Sequence, residues 1–130
     1  MKLESPVTPL QKPAAEVFSK LSVAGNFEKL MPDNVAKFEV SGENTFVFAL
    51  KGMPEIALKL REQHPPETII YEAAEGKVPF TLTIYIRETA PGTSTVQFIF
   101  NGEFNAMMGM MIKSPIRNFI GVLSENSVKL

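Results

Sequence analysis

Apolar and polar residues alternate with a period of two through the middle of the chain and with a helical period at its ends. Ala36, Phe38 and Val40 alternate with Lys37, Glu39 and Ser41. Phe46, Phe48 and Leu50 alternate with Thr45, Val47 and Ala49, and Ile56, Leu58 and Leu60 with Ala57, Lys59 and Arg61. Ile69 and Tyr71 alternate with Thr68, Ile70 and Glu72. Phe80, Leu82, Ile84 and Ile86 alternate with Thr81, Thr83, Tyr85 and Arg87, and Val96, Phe98 and Phe100 with Thr95, Gln97 and Asn101. This spacing predicts six strands, each with one apolar and one mostly polar face. Turn-forming residues separate them at Ser41–Asn44, Gly52–Pro54, Pro65–Pro66, Gly76–Lys77 and Ala90–Gly92. Connections this short cannot carry parallel crossovers, so an antiparallel meander is expected.

The ends read differently. Leu3 to Thr8 predicts a short strand that Pro6 and Pro9 confine to an edge. Pro13 opens a helix to Leu21 with Val17, Phe18 and Leu21 on one face. Asn26 is placed to cap a second short helix, Phe27 to Met31, which Pro32 stops. From Phe104 the period becomes helical again. Phe104, Met107, Met108, Met111, Ile112, Phe119, Val122 and Leu123 share one arc, with Lys113, Arg117 and Ser124 opposite and Gly109 and Pro115 as places for a kink. A helix from Phe104 to Ser127 would be about 36 Å long, close to the width of a seven-stranded sheet. The expected fold class is α+β, in one domain over residues 1–130. Its order is a strand, two short helices, a six-stranded antiparallel meander, and a long C-terminal helix covering one sheet face.

This order resembles the helix-grip fold of the START-domain and birch-pollen-allergen superfamily, the SRPBCC proteins. The residues that carry the resemblance are Pro13-Ala14-Ala15-Glu16-Val17-Phe18-Ser19-Lys20-Leu21, then Asn26-Phe27-Glu28-Lys29-Leu30-Met31-Pro32, and the methionine-rich opening of the last helix. The resemblance implies a strongly curved sheet gripping the long helix at its concave face, with an apolar pocket between. Members of the superfamily bind lipids, quinones, sterols, plant hormones or polyketides. Some cyclise or dehydrate polyketides and some assist chaperones, so the fold does not fix the function.

Composition narrows the chemistry. The 130 residues are 45% hydrophobic and 21% charged, which suits a globular domain with a core. The absence of cysteine excludes disulfides, thiolate nucleophiles and cysteine metal sites, and His64 as the one histidine excludes a multi-histidine site. A net charge of -1 gives no electrostatic reason to expect nucleic acid or an anionic membrane as partner. No apolar run approaches the roughly 20 residues that cross a bilayer, and the opening Met1–Pro6 lacks the core of a signal peptide. The expectation is a cytoplasmic protein without integral membrane association. No glycine-rich phosphate loop is present, and no cofactor or metal is expected.

With the apolar faces turned inward, Phe46, Phe48, Ile56, Leu58, Leu60, Ile69, Tyr71, Leu82, Ile84, Phe98 and Phe100 look in from the sheet. Phe104, Met107, Met108 and Met111 look back from the helix. All but Ile69 are candidate ligand-lining residues. A filled core and an apolar pocket want the same residues at these places, and periodicity does not separate them. Tyr71 supplies the one hydroxyl on this face, which carries none of the titratable groups that acid–base catalysis needs. The leading expectation is a carrier of a small hydrophobic molecule. A polyketide cyclase-like enzyme would require a register slip turning Thr81, Thr83, Thr95 or Gln97 inward. A chaperone accessory or homodimer would use an outer-face patch of Val47, Ile70, Tyr85 and Ile99. His64, between Glu62 and Glu67, is expected in an exposed loop, and Glu4, Glu39, Glu72 and Glu88 on a solvated surface.

Overall fold

Side-chain alternation leaves each strand with one greasy face, and a single antiparallel sheet lets all of those faces share one side. The computed structural model of the chain describes residues 1–42, 44–74 and 79–130. Among them the sheet contains β1 (Lys2–Glu4), β2 (Thr8–Leu10), β3 (Val35–Val40), β4 (Thr45–Leu50), β5 (Ile56–His64), β6 (Thr68–Ala73), β7 (Phe80–Ala90) and β8 (Thr93–Gly102). Helix α1 (Ala14–Leu21) and a 3-10 helix (Ala24–Leu30) lie between β2 and β3. Helix α2 (Ala106–Asn126) follows β8 and ends in a 3-10 turn, Ser127–Lys129. Across the sheet the order is β1-β8-β7-β6-β5-β4-β3, with β2 also on β8. The stretch from β3 to β8 is the expected antiparallel meander. The expected turn at Gly76–Lys77 and residue Glu43 of the Ser41–Asn44 turn lie outside the described residues.

Three local expectations are corrected. The strand expected from Leu3 to Thr8 is two strands, because Ser5 interrupts it. Phe98 donates its N–H to Ser5 Oγ at 2.9 Å, the Gln97 side-chain amide donates to the Ser5 carbonyl at 3.0 Å, and Pro6 has no N–H to continue the ladder. Strand β5 runs through His64, paired as Gln63 with Ile69 and His64 with Thr68, so the loop begins only at Pro65. The second helix is 3-10 and starts at Ala24. Asn26 does not cap it, since its side-chain amide donates to the Lys20 carbonyl at 2.8 Å and ties the segment to the end of α1.

The core forms where α1 and the 3-10 helix press onto the sheet. Val17, Leu21, Phe27 and Leu30 are fully buried. Phe27 stacks on Phe46 with centroids 4.7 Å apart and meets Tyr71 edge-on at 5.2 Å. Pro13 offers no side-chain cap to α1. The Glu88 carboxylate reaches from β7 and accepts the Ala14 N–H at 3.0 Å, so this residue has a structural partner rather than only solvent.

Helix α2 is capped by Asn105, whose side-chain oxygen accepts the Met108 N–H at 2.8 Å. Its buried residues all fall in the second half: Ile116, Phe119, Ile120, Leu123 and Ser124. Phe119 lies flat on Phe48 with centroids 4.5 Å apart. Ser124 was expected on the outer side and is fully buried. Its hydroxyl donates to the Pro6 carbonyl at 2.9 Å and lies 2.7 Å from Thr8 Oγ1. The buried arc is therefore rotated by roughly a quarter turn from the expected one. The dense methionines had pulled the expected arc toward themselves.

Replacing Glu88 with alanine is expected to lower stability by about 1 kcal/mol, the usual worth of a helix cap. A shifted urea midpoint with unchanged slope shows this; an unshifted midpoint denies Glu88 the capping role.

Candidate functional site

Between the concave sheet face and α2 lies a cavity of about 10 Å³, lined by Phe48, Ile56, Leu58, Phe80, Leu82, Phe100, Ile116, Phe119 and Ile120. That volume holds at most a single water, and nothing in the lining would bind one. All nine side chains are apolar, and none carries a titratable group.

Five of the fourteen candidate residues line this cavity: Phe48, Ile56, Leu58, Leu82 and Phe100. Phe46, Tyr71, Ile84 and Phe98 are fully buried in the surrounding core, and Leu60 packs half-buried at its edge. Phe104 stacks on Phe100 at 6.0 Å, beside the Phe80–Phe100 pair at 5.4 Å. Gly102 leaves room for that stacking. A Cβ there would lie 2.7 Å from the Phe104 ring and 2.9 Å from Phe80 Cβ.

The methionines do not look inward. Met107 is 75% exposed, Met108 40% and Met111 70%. The reason is helical geometry: once Ile116, Phe119 and Ile120 face the sheet, positions 107 and 111 fall on the far side at about 100° per residue. Besides Phe80 and Phe119, which were on the expected apolar faces but not among the candidates, sequence reasoning missed Ile116 and Ile120 as lining residues. Their signal was the i, i+3, i+4 run through Ile116, Phe119, Ile120, Leu123 and Ser124, readable from the carboxyl end of the helix.

The polar groups are elsewhere. Tyr71 donates its hydroxyl to the Leu21 carbonyl at 2.7 Å, and burial pushes its phenol above the ordinary range. That hydroxyl holds the end of α1 and is not turned toward the cavity lining. His64 lies on the exposed end of β5, 3.1 Å from Glu62, and the hydrogen bond from His64 chiefly holds the Glu62 carboxyl below its usual value. Leu82 pairs with Phe100 and Ile84 with Phe98, so the expected register stands; Thr81, Thr83, Thr95 and Gln97 are half-buried on the outer face. On that face Thr83 stands between Ile70 and Ile99, Tyr85 follows two residues along β7, and Val47 lies apart on β4. An open groove of about 430 Å³ runs there beside Tyr85, Arg87, Thr95 and Gln97. Among the described residues no group of three or more His, Asp or Glu side chains could hold a metal ion.

A curled antiparallel sheet closed around one long C-terminal helix is the helix-grip α+β fold. Solved structures bear this out. Norcoclaurine synthase from Thalictrum flavum superposes with a TM-score of 0.76 at 12% identity, over 99% of this chain and 84% of that one. A conserved protein from Geobacillus kaustophilus gives 0.73 at 15% identity, over 99% and 93%. A Thermobifida fusca protein gives 0.70 at 12% identity, over 98% and 89%. No protein-family model matches the chain, and no curated protein does. At such identities the likeness is one of fold.

Tyr71→Phe is expected to fold and to lose about 1–3 kcal/mol, because the Leu21 carbonyl stays buried without its donor. Unchanged stability in urea would show that this hydrogen bond does not hold α1.

Proposed function

We propose that the chain carries a small hydrophobic molecule, such as a lipid, quinone, sterol or polyketide-like compound, between the concave sheet face and α2. The observation that carries this reading is the wholly apolar lining, nine side chains from four strands and one helix converging on one point. Half-buried Met53, Phe104 and Ile112 pack against the same core. Each 100 Å² of ligand surface buried there would contribute about 2.5 kcal/mol.

A cavity of about 10 Å³ is too small for such a ligand, so binding must widen it. The first half of α2 is the element suited to move. Its methionines are exposed, and Gly109 and Pro115 weaken the helix at either side of Ile112. A norcoclaurine synthase structure, TM-score 0.73, is described as a complex with dopamine and hydroxybenzaldehyde, which supports small organic guests in this fold. Transport is favoured over turnover because acid–base chemistry would have to recruit a group from outside the lining. On this reading the protein works in the cytoplasm and needs neither metal nor cofactor.

A panel of lipids, quinones, sterols and aromatic polyketides tests this by thermal shift. A cognate ligand at about 100 times its dissociation constant is expected to add about 2.7 kcal/mol. Ile116→Phe, which overfills the cavity, is expected to cost about 1–3 kcal/mol and to erase the ligand effect. A panel with no stabiliser, or a stabiliser equally effective on Ile116→Phe, contradicts the proposal.

A further inference from the structure

Helix α2 carries a second apolar surface that the ligand reading does not use. Met107, Met110 and Met111 are 75%, 83% and 70% exposed. They are spaced i, i+3 and i+4, so they form one cluster on the side of the helix turned away from the sheet. A cluster of three long apolar side chains in water is a surface that asks for a cover.

The charges beside it select the cover. From Ala106 to Ser124 the helix has two charged residues, Lys113 and Arg117, and both are exposed. They follow Met110 by three and seven positions, on the same flank. The helix N-terminus adds a partial positive charge at the methionine end. The nearest acidic residues along the chain are Glu103, before the helix, and Glu125, near its end. A whole-chain charge of -1 averages this local excess away. The same cations disfavour a soft metal ion on the thioethers and favour an anionic surface.

We propose that the first half of α2 docks peripherally on an anionic lipid bilayer, with Met107, Met110 and Met111 entering the headgroup–acyl boundary and Lys113 and Arg117 meeting lipid phosphates. Unbranched, flexible methionine suits a fluid surface that offers no shaped pocket. No described helix is long and apolar enough to cross a membrane, so the contact lies on the bilayer. The proposal goes beyond the carrier reading, and its test uses no ligand, so either can fail alone.

Co-flotation of the full chain with vesicles decides it. Binding is expected to equimolar phosphatidylcholine–phosphatidylserine and not to phosphatidylcholine alone, and to weaken with salt. The triple variant M107Q/M110Q/M111Q is expected to lose binding, and M107L/M110L/M111L to keep it, since apolarity and not sulfur is required. Lys113→Ala and Arg117→Ala are each expected to weaken binding by about fivefold. Should the glutamine variant misfold, the leucine and charge variants still decide. The proposal is overturned by no flotation, by equal flotation with neutral vesicles, or by binding indifferent to all these changes. It is equally overturned if vesicles do not bind and the glutamine variant instead abolishes self-association in light scattering, which would make a second copy the occupant.

Discussion

Phe119 lying flat on Phe48 marks the contact on which the molecule turns: the second half of α2 buried against the concave face of the sheet. Ile116, Phe119, Ile120 and Leu123 are each buried here, at about 1.5–3 kcal/mol apiece as an upper estimate. Polar latches fix the register of that contact. Ser124 bonds the Pro6 carbonyl, and the Asn126 amide donates to the Leu30 carbonyl at 3.0 Å. Both partners belong to the N-terminal third of the chain, so one helix ties the sheet, the β1–β2 link and the 3-10 helix together.

Among the described residues the first half of the same helix has no comparable anchor. Its methionines face water, and its Ile112 is only half-buried. The division of α2 into a seated half and an exposed half follows from one choice of buried arc. It leaves the fold firmly held where Phe119 sits and loosely covered along the first half of α2. Tyr71 belongs to the first category. Its hydroxyl closes the end of α1, so the one hydroxyl expected on the inward face is a structural fastening.

The meander was legible because a period of two records which side of a strand faces the core, and that depends little on distant residues. Phe80–Ile86 and Val96–Phe100 show it well, and their register placed every inward side chain on the correct face. What depends on tertiary contacts was not legible. The break at Ser5 exists because Phe98 donates to its hydroxyl, and the α1 cap comes from Glu88, seventy-four positions away from Ala14. The helical wheel failed for a different reason. Methionine counts as apolar wherever it sits, so Met107, Met108 and Met111 outweighed Ile116 and Ile120, and Ser124 counted as polar although its hydroxyl is satisfied inside.

Native-state hydrogen exchange along α2 tests the division most directly. Amides from Phe119 to Ser124 should exchange only near the global unfolding free energy, while those from Gly109 to Lys113 should exchange through a much lower local opening. Uniform protection from one end of the helix to the other would contradict the account.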